Sequence, residues 1–308
     1  DIDMADVQSA ENQLLFDAMR NLAEKILEGT GGIGPMVGKR GFMGMVLLEN
    51  AEFDVNRFKK DLLTKWDIES ITSPEGMKVR AAIATKDVDT VAEEDMEEAH
   101  FLEIDDYKVV VAPFSFAMPM EAVMQGATRN YLWDDALDVV LNHTSHVAIS
   151  IVEGPGKPLE EGILLAKLLA VATEQTGASA IYTNGVLYEA GKYHEETERL
   201  REDMLPMANL VWVDMDFEDD GTISLSTSGM ELFKQLNIEL LHCPWEPEKA
   251  ENYALAVADY ILTSDTKVQD GDSVGRTEGE QMIVHIGEPV HADGLQSIQI
   301  FFDESEEK

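Results

Sequence analysis

The sequence predicts an α+β protein, and three observations carry that prediction. Short apolar and β-branched runs recur along the chain, among them YKVVVAPFSF at 107–116 and VAISIV at 147–152. Between them lie segments with helical spacing, the most apolar of which covers 162–172. The two kinds alternate irregularly, which points to mixed sheets packed with helices in two βα-rich lobes and not to a doubly wound parallel sheet. With 308 residues, 44% of them hydrophobic, the chain can build one large or two ordinary cores. The expected organisation is an amphipathic helix and glycine-rich linker over 1–40, an N-terminal lobe over 41–145 and a C-terminal lobe over 146–308.

In chain order, residues 4–28 place Leu15, Met19, Leu22 and Ile26 at three- and four-residue spacing between charged residues. That spacing predicts an amphipathic helix of roughly seven turns, able to pack on the body of the protein or on its twin in a homodimer. The run GTGGIGPMVGKRG, 29–41, reads as a flexible linker. A strand over 41–48 and a charged helix bearing Phe53, Phe58, Leu62, Leu63 and Trp66 follow, then an acidic, irregular stretch up to Ala99. After the 107–116 strand come short helices near 119–125 and 133–141.

The stretch 146–188 organises the rest. Its strand ends in Gly154-Pro155-Gly156, and Pro158 suits a first helical turn, where its missing N–H would be unpaired anyway. Glu160 and Glu161 lie where the helix dipole favours negative charge, and only Lys167 is polar from 162 to 172, so the helix belongs in a core. Gly177 is the expected C′ residue, and 180–188 returns as a strand broken by the Asn184-Gly185 turn pair. A charged helix over 195–204 leads to a hairpin of 210–217 with 222–227. Its first strand puts Val211, Val213, Met215 and Phe217 on one face and Trp212, Asp214 and Asp216 on the other. A strand at 238–241, a helix at 250–262, strands at 282–286 and 298–302 and an acidic tail complete the chain.

Sixty acidic residues stand against 23 basic ones, a formal net charge of −37. Nucleic acid and anionic membrane surfaces are excluded as partners, because both are bound through clustered cations. A basic protein partner would instead be steered in. The single cysteine, Cys243, allows no internal disulfide and fits a reducing compartment. No basic n-region opens the chain and no apolar run reaches membrane-spanning length, so a cytoplasmic location is expected.

Several motifs have simpler structural readings. Gly29 to Gly34 spell GxGxxG, but a helix precedes them where the dinucleotide fingerprint needs a strand, so no cofactor is assigned. Gly38-Lys39 lacks both the earlier glycine and the following hydroxyl of a phosphate loop. His143 and His146 straddle a helix-to-strand junction and read as structural histidines; no metal site is assigned. Asp216, Glu218, Asp220 and Gly221 imitate the start of a calcium loop whose twelfth position is Thr227 instead of Glu. His242 and Cys243 are adjacent on a strand and so point to opposite faces. Candidate binding residues are Trp212, Asp214 and Asp216 on the hairpin and Asp270, Asp272, Ser273 and Arg276 in the loop VQDGDSVGR.

This loop, with Lys267 before it and 280–285 after it, resembles a bacterial family catalogued as domain of unknown function 4261. Trp212-Val213-Asp214, the run 226–230 and the strand and helix after His146 are similar to that family's pattern, so the resemblance extends over most of 41–302. It implies no activity, cofactor or catalytic residue. From the residues themselves two functions are expected. One is a non-enzymatic acidic module that binds a basic protein, in the manner of an immunity protein neutralising a toxin. The alternative is a hydrolase that gathers Asp214, Asp216 and the 270–276 loop around one substrate.

Overall fold

The structure is a computed structural model that describes residues 42–50, 52–73, 99–264, 267–275 and 282–302. The 4–28 helix, the GxGxxG run, the tail and Arg276 lie outside the described residues. The architecture is α+β, with two sheets and helices packed on them. Two compact units divide the chain, Asp1–Thr197 and Glu198–Lys308. The expected boundary between 145 and 146 is therefore corrected. It would cut between the first two residues of β5 (Ser145–Glu153), which pairs with a strand on each side.

The first unit is a seven-stranded sheet in the order β2-β3-β4-β5-β1-β6-β7, antiparallel throughout. Its strands are β1 (Met43–Leu48), β2 (Ile71–Thr72), β3 (His100–Ile104), β4 (Tyr107–Phe114), β5, β6 (Ala178–Thr183) and β7 (Val186–Glu189). Helix α1 (Val55–Lys65) begins at Asp54, whose carboxylate accepts the N–H groups of Asn56 and Arg57, both at 2.9 Å. Phe53 thus precedes the helix instead of lying on it. Helices α2 (Met120–Arg129) and α3 (Ala136–Asn142) pack on the sheet face that carries Met45, Ala112, Ala148 and Tyr182.

Helix α4 (Pro158–Ala172) is apolar all round because it is covered by strands β1 and β5 on one side and by α1 on another. Leu164, Leu165, Leu168 and Leu169 are all buried, each stabilising the unit by about 1.5–3 kcal/mol. Strand β1 admits the helix through Gly44, where a Cβ would come within 2.6 Å of Leu169 Cδ1. The helix ends at Thr173, not near Gly177; Gly177 has φ +83° and shapes the entry to β6 instead. Asn184 and Gly185 have φ of +53° and +74°, the two left-handed residues that a type I′ hairpin turn requires.

Helix α5 (Ala190–Glu198) runs into a 3-10 turn, Arg199–Glu202. The second unit follows, with α6 (Met207–Leu210), α7 (Pro247–Thr263) and a six-stranded sheet in the order β11-β12-β13-β10-β9-β8. These strands are β8 (Trp212–Phe217), β9 (Ile223–Ser228), β10 (Asn237–Cys243), β11 (Ser273–Val274), β12 (Met282–Gly287) and β13 (Ser297–Phe301). β10 and β13 run parallel; the other neighbours are antiparallel. Ile238, Leu240, Ile298 and Ile300 alternate with polar residues and give the sheet one apolar face. Ala250, Tyr253, Ala254, Val257, Ala258 and Ile261 are the buried residues of α7, which packs on β8, β9 and β10. Among the described residues, no helix is long and apolar enough to cross a membrane.

Candidate functional site

The opposite face of the second sheet is polar, and its residues are in register. His285, Gln299, Glu239, Ser226 and Asp214 form one transverse row over β12, β13, β10, β9 and β8. Residues paired across neighbouring strands share a face, so these five side chains stand together. Glu239, at the middle of the row, is fully buried.

A fully buried carboxylate is costly unless its oxygens are hydrogen-bonded. Glu239 meets that condition. Oε1 accepts the N–H groups of Val290 at 3.0 Å, His291 at 2.5 Å and Ala292 at 2.8 Å. Oε2 accepts the Ser297 hydroxyl at 2.6 Å and the Gln299 side-chain amide at 3.1 Å. Burial alone would raise its pKa, but the donors from Ser297, His291, Ala292 and Gln299 outweigh it and hold the carboxyl below the ordinary value. With its lone pairs occupied and its charge stabilised, Glu239 is a structural anion and not an acid or base.

What it anchors is the 288–296 strap between β12 and β13. Gln299 also donates to the Glu288 carbonyl at 2.7 Å, and Asn237 donates to the Asp293 carbonyl at 3.3 Å. Three buried side chains, Asn237, Glu239 and Gln299, thus hold the strap over the polar face. The strap places His291 Nδ1 3.2 Å from Asp216 Oδ2, with His291 Nε2 4.0 Å from Glu218 Oε1. Ser224 donates to Glu218 Oε1 at 2.7 Å and accepts the His242 N–H at 3.3 Å, so its hydroxyl braces the hairpin.

The hairpin residues fall as the sequence predicts. Trp212 and Asp214 share a face, and the indole N–H donates to Asp214 Oδ1 at 3.0 Å. Asp216, two residues on, is exposed and faces His291. The imitation of a calcium loop is a hairpin turn, with Asp220 accepting the N–H and hydroxyl of Thr222 at 2.9 and 2.7 Å and Gly221 at φ +87°. Among the described residues, no group of three or more His, Cys, Asp or Glu side chains is placed to hold a metal ion.

The second group of candidates lies elsewhere. Asp272 accepts the Gln269 N–H at 2.8 Å, and Asp270 accepts the Ile286 N–H at 3.0 Å. Gly271 N–H and the Asp272 carbonyl bond Val284, both at 2.8 Å, and Ser273 pairs with Ile283, so this loop is sewn to the outer side of β12. β11 and β8 are opposite edges of the sheet, about 24 Å apart at 4.8 Å per strand. The carboxylate site expected from Asp214, Asp216, Asp270 and Asp272 is therefore not formed, because four strands separate its halves.

The remaining candidates are structural. His143 accepts the Met118 N–H at Nε2, 3.0 Å, and bonds the Val140 carbonyl through Nδ1. His146 bonds the Phe116 carbonyl at 2.9 Å and stacks on Phe114 with centroids 4.7 Å apart. Cys243 is buried, which pushes its thiol pKa up, whereas His242 is exposed on the other side of the strand. Glu239, Asn237, Ser297, Gln299 and His291 went unrecognised in the sequence. The available signal was period-two: Asn237-Ile238-Glu239-Leu240 and Ser297-Ile298-Gln299-Ile300 each set a polar residue between apolar ones inside a strand.

No curated protein and no solved structure matches the chain. A family model described as Domain of unknown function (DUF4261) matches residues 226–300, a shorter stretch than the 41–302 over which the resemblance was read. It takes in Asn237, Glu239, the strap, Ser297 and Gln299 and leaves Trp212, Asp214 and Asp216 outside. Residues 226–300 of this chain, carrying the buried carboxylate and the strap it holds, are the part that the DUF4261 family model matches.

Proposed function

We propose that the protein is a non-enzymatic acidic module that captures a basic protein partner, neutralising it as an immunity protein neutralises a toxin, in a reducing, cytoplasmic setting. One observation carries the reading: many described cations are spent on local ion pairs, while carboxylates face solvent. Arg57 pairs with Asp61, Lys65 with Glu174, Lys108 with Glu153, Lys157 with Glu160, Lys192 with Glu195 and Arg201 with Glu198. The side chains of Asp216, Asp220 and Asp270 are 60%, 60% and 69% exposed. Such a surface steers a basic partner and gives an association rate that falls with salt.

The test is capture of partners from the native host by the tagged chain at low salt, with mass spectrometry of what elutes as salt rises. The same capture is repeated with an Asp216→Asn, Glu218→Gln, Asp220→Asn variant. One basic protein, released by salt and depleted by the variant, is the expected result. Eluates without a basic protein at every salt concentration would overturn the reading.

A further inference from the structure

The edge strands of the two sheets differ in length. Among the described residues β2 and β11 have two residues each and β7 has four, whereas β8 has six. A very short edge strand is one way in which a sheet avoids pairing with another chain, and β8 does not use it.

The register of β8 shows which of its backbone groups face outward. The Glu218 N–H donates to the Thr222 carbonyl at 3.0 Å, which makes 218 and 222 a hydrogen-bonded pair. Such pairs alternate along an antiparallel ladder, so Asp216 with Ser224, Asp214 with Ser226 and Trp212 with Ser228 also turn their N–H and C=O groups toward each other. Val213, Met215 and Phe217 turn theirs away from β9. The start of the strand obeys the same alternation, because the Val211 N–H leaves the sheet and donates to the Met207 carbonyl at 2.9 Å. Past that bond, no strand among the described residues pairs with the outer side of β8.

The two faces beside this edge differ in chemistry. On the apolar side Met215 is half-buried and Phe217 is 74% exposed. On the polar side stand Asp214 and Asp216. A second copy of the chain is a poor occupant. Antiparallel pairing centred on Met215 would set Asp214 opposite Asp216 twice, and pairing centred on Phe217 would set Asp216 opposite Glu218, and like charges directly opposite one another destabilise a ladder. An extended segment with lysine or arginine at every second position and apolar residues between them fits instead. Its cations stand opposite Asp214 and Asp216, and its apolar residues lie beside Met215 and Phe217.

We propose that the outer edge of β8 is a docking edge, which takes an extended, basic segment of a protein partner as an added antiparallel strand. Main-chain hydrogen bonds to Met215 and Phe217 give the affinity, and Asp214 and Asp216 select for alternating cations. This rests on the acidic-capture reading and deepens it, by naming the strand that holds the partner and the kind of segment held.

The test is binding of a fluorescein-labelled peptide of alternating lysine and valine to the full chain at low salt, read by anisotropy. A second peptide is N-methylated at its valines, whose N–H groups would face Met215 and Phe217; it keeps the charge and loses those donors. In the variant Met215→Pro one outward N–H is removed, while the β8–β9 ladder and the net charge stay as they are. The plain peptide is expected to bind the wild type and to slow exchange of the Met215 and Phe217 amides. Methylation of the peptide, or the proline in the chain, is expected to weaken binding by about tenfold. The methylated peptide needs no variant, so a proline chain that fails to fold leaves the test intact. Equal binding of the two peptides by the wild type, or binding of neither, would overturn the docking edge. The acidic-capture reading fails separately, on the absence of a salt-released basic protein from the host eluates.

Discussion

The Ser297 hydroxyl donates to Glu239 Oε2 at 2.6 Å, tying the first residue of β13 to the middle of the parallel strand β10. The same carboxylate holds three consecutive strap amides, so one side chain joins a sheet to the segment over its polar face.

Glu239→Gln is therefore expected to destabilise the second unit by about 2–4 kcal/mol, because it removes the charge and turns an amide donor toward groups that are themselves donors. Urea unfolding measures this, with exchange of the 290–292 amides as the local readout. The pH dependence has a definite sign. The folded carboxyl titrates below its unfolded value, so its stabilisation is complete above about pH 4.3 and is lost as pH falls through the lower folded pKa. The wild type should lose stability over that acid window while the variant changes less, and equal slopes would remove the charge from the account.

Gly126→Ala sets two known effects against each other. Alanine gains about 1 kcal/mol of helix propensity, but its Cβ would lie 2.8 Å from Tyr182 Cε2 and 3.1 Å from the Leu187 backbone nitrogen. Strand β7 cannot retreat without breaking its ladder to β6, so the overpacking cost of about 1–3 kcal/mol wins. A lowered denaturation midpoint is expected. Thr128→Ala, at an exposed position of the same helix, should leave it unchanged or slightly raised.

These cases also show what was legible in the sequence. The Asn184-Gly185 turn, the apolar helix α4 and the 218–221 hairpin turn obey local rules, and each formed where its residues demanded. The Glu239 network does not, since its partners lie 51 to 60 residues away and only the β10–β13 register brings them together. The lobe boundary failed for the same reason. The composition of β5 shows that the strand is buried, not that β1 and β4 flank it. Asp214 and Asp272 are both acidic turn or strand residues, and nothing local to either reveals that they occupy opposite edges.

Glu251 presents the reverse of Glu239. Burial, with Glu248 adding to it, raises its pKa, so at neutral pH its charged form is disfavoured in the folded state relative to the unfolded one. Stability tied to this group is gained as pH falls through the raised value. Glu251→Gln should raise the melting temperature at pH 7, and the difference should vanish below about pH 4, where both states carry a protonated glutamate. A variant that melts lower at pH 7 would show that the carboxylate makes a net favourable contact.

Salt separates short-range pairing from long-range repulsion. Lys108–Glu153 at 2.7 Å and Lys157–Glu160 at 2.8 Å are close pairs near the surface, where solvent keeps such pairs weak. The net charge of −37 acts over longer distances, and at 0.1 M salt the Debye length of about 10 Å screens that repulsion first. Sodium chloride should therefore stabilise the protein, with the steepest rise in melting temperature below about 0.15 M. The pairs lose little over that range, and the compact state is relieved of its self-repulsion. A melting temperature that falls steadily with salt would mean that the ion pairs outweigh the repulsion, and the excess carboxylates would then have to be neutralised locally instead of presented to a partner.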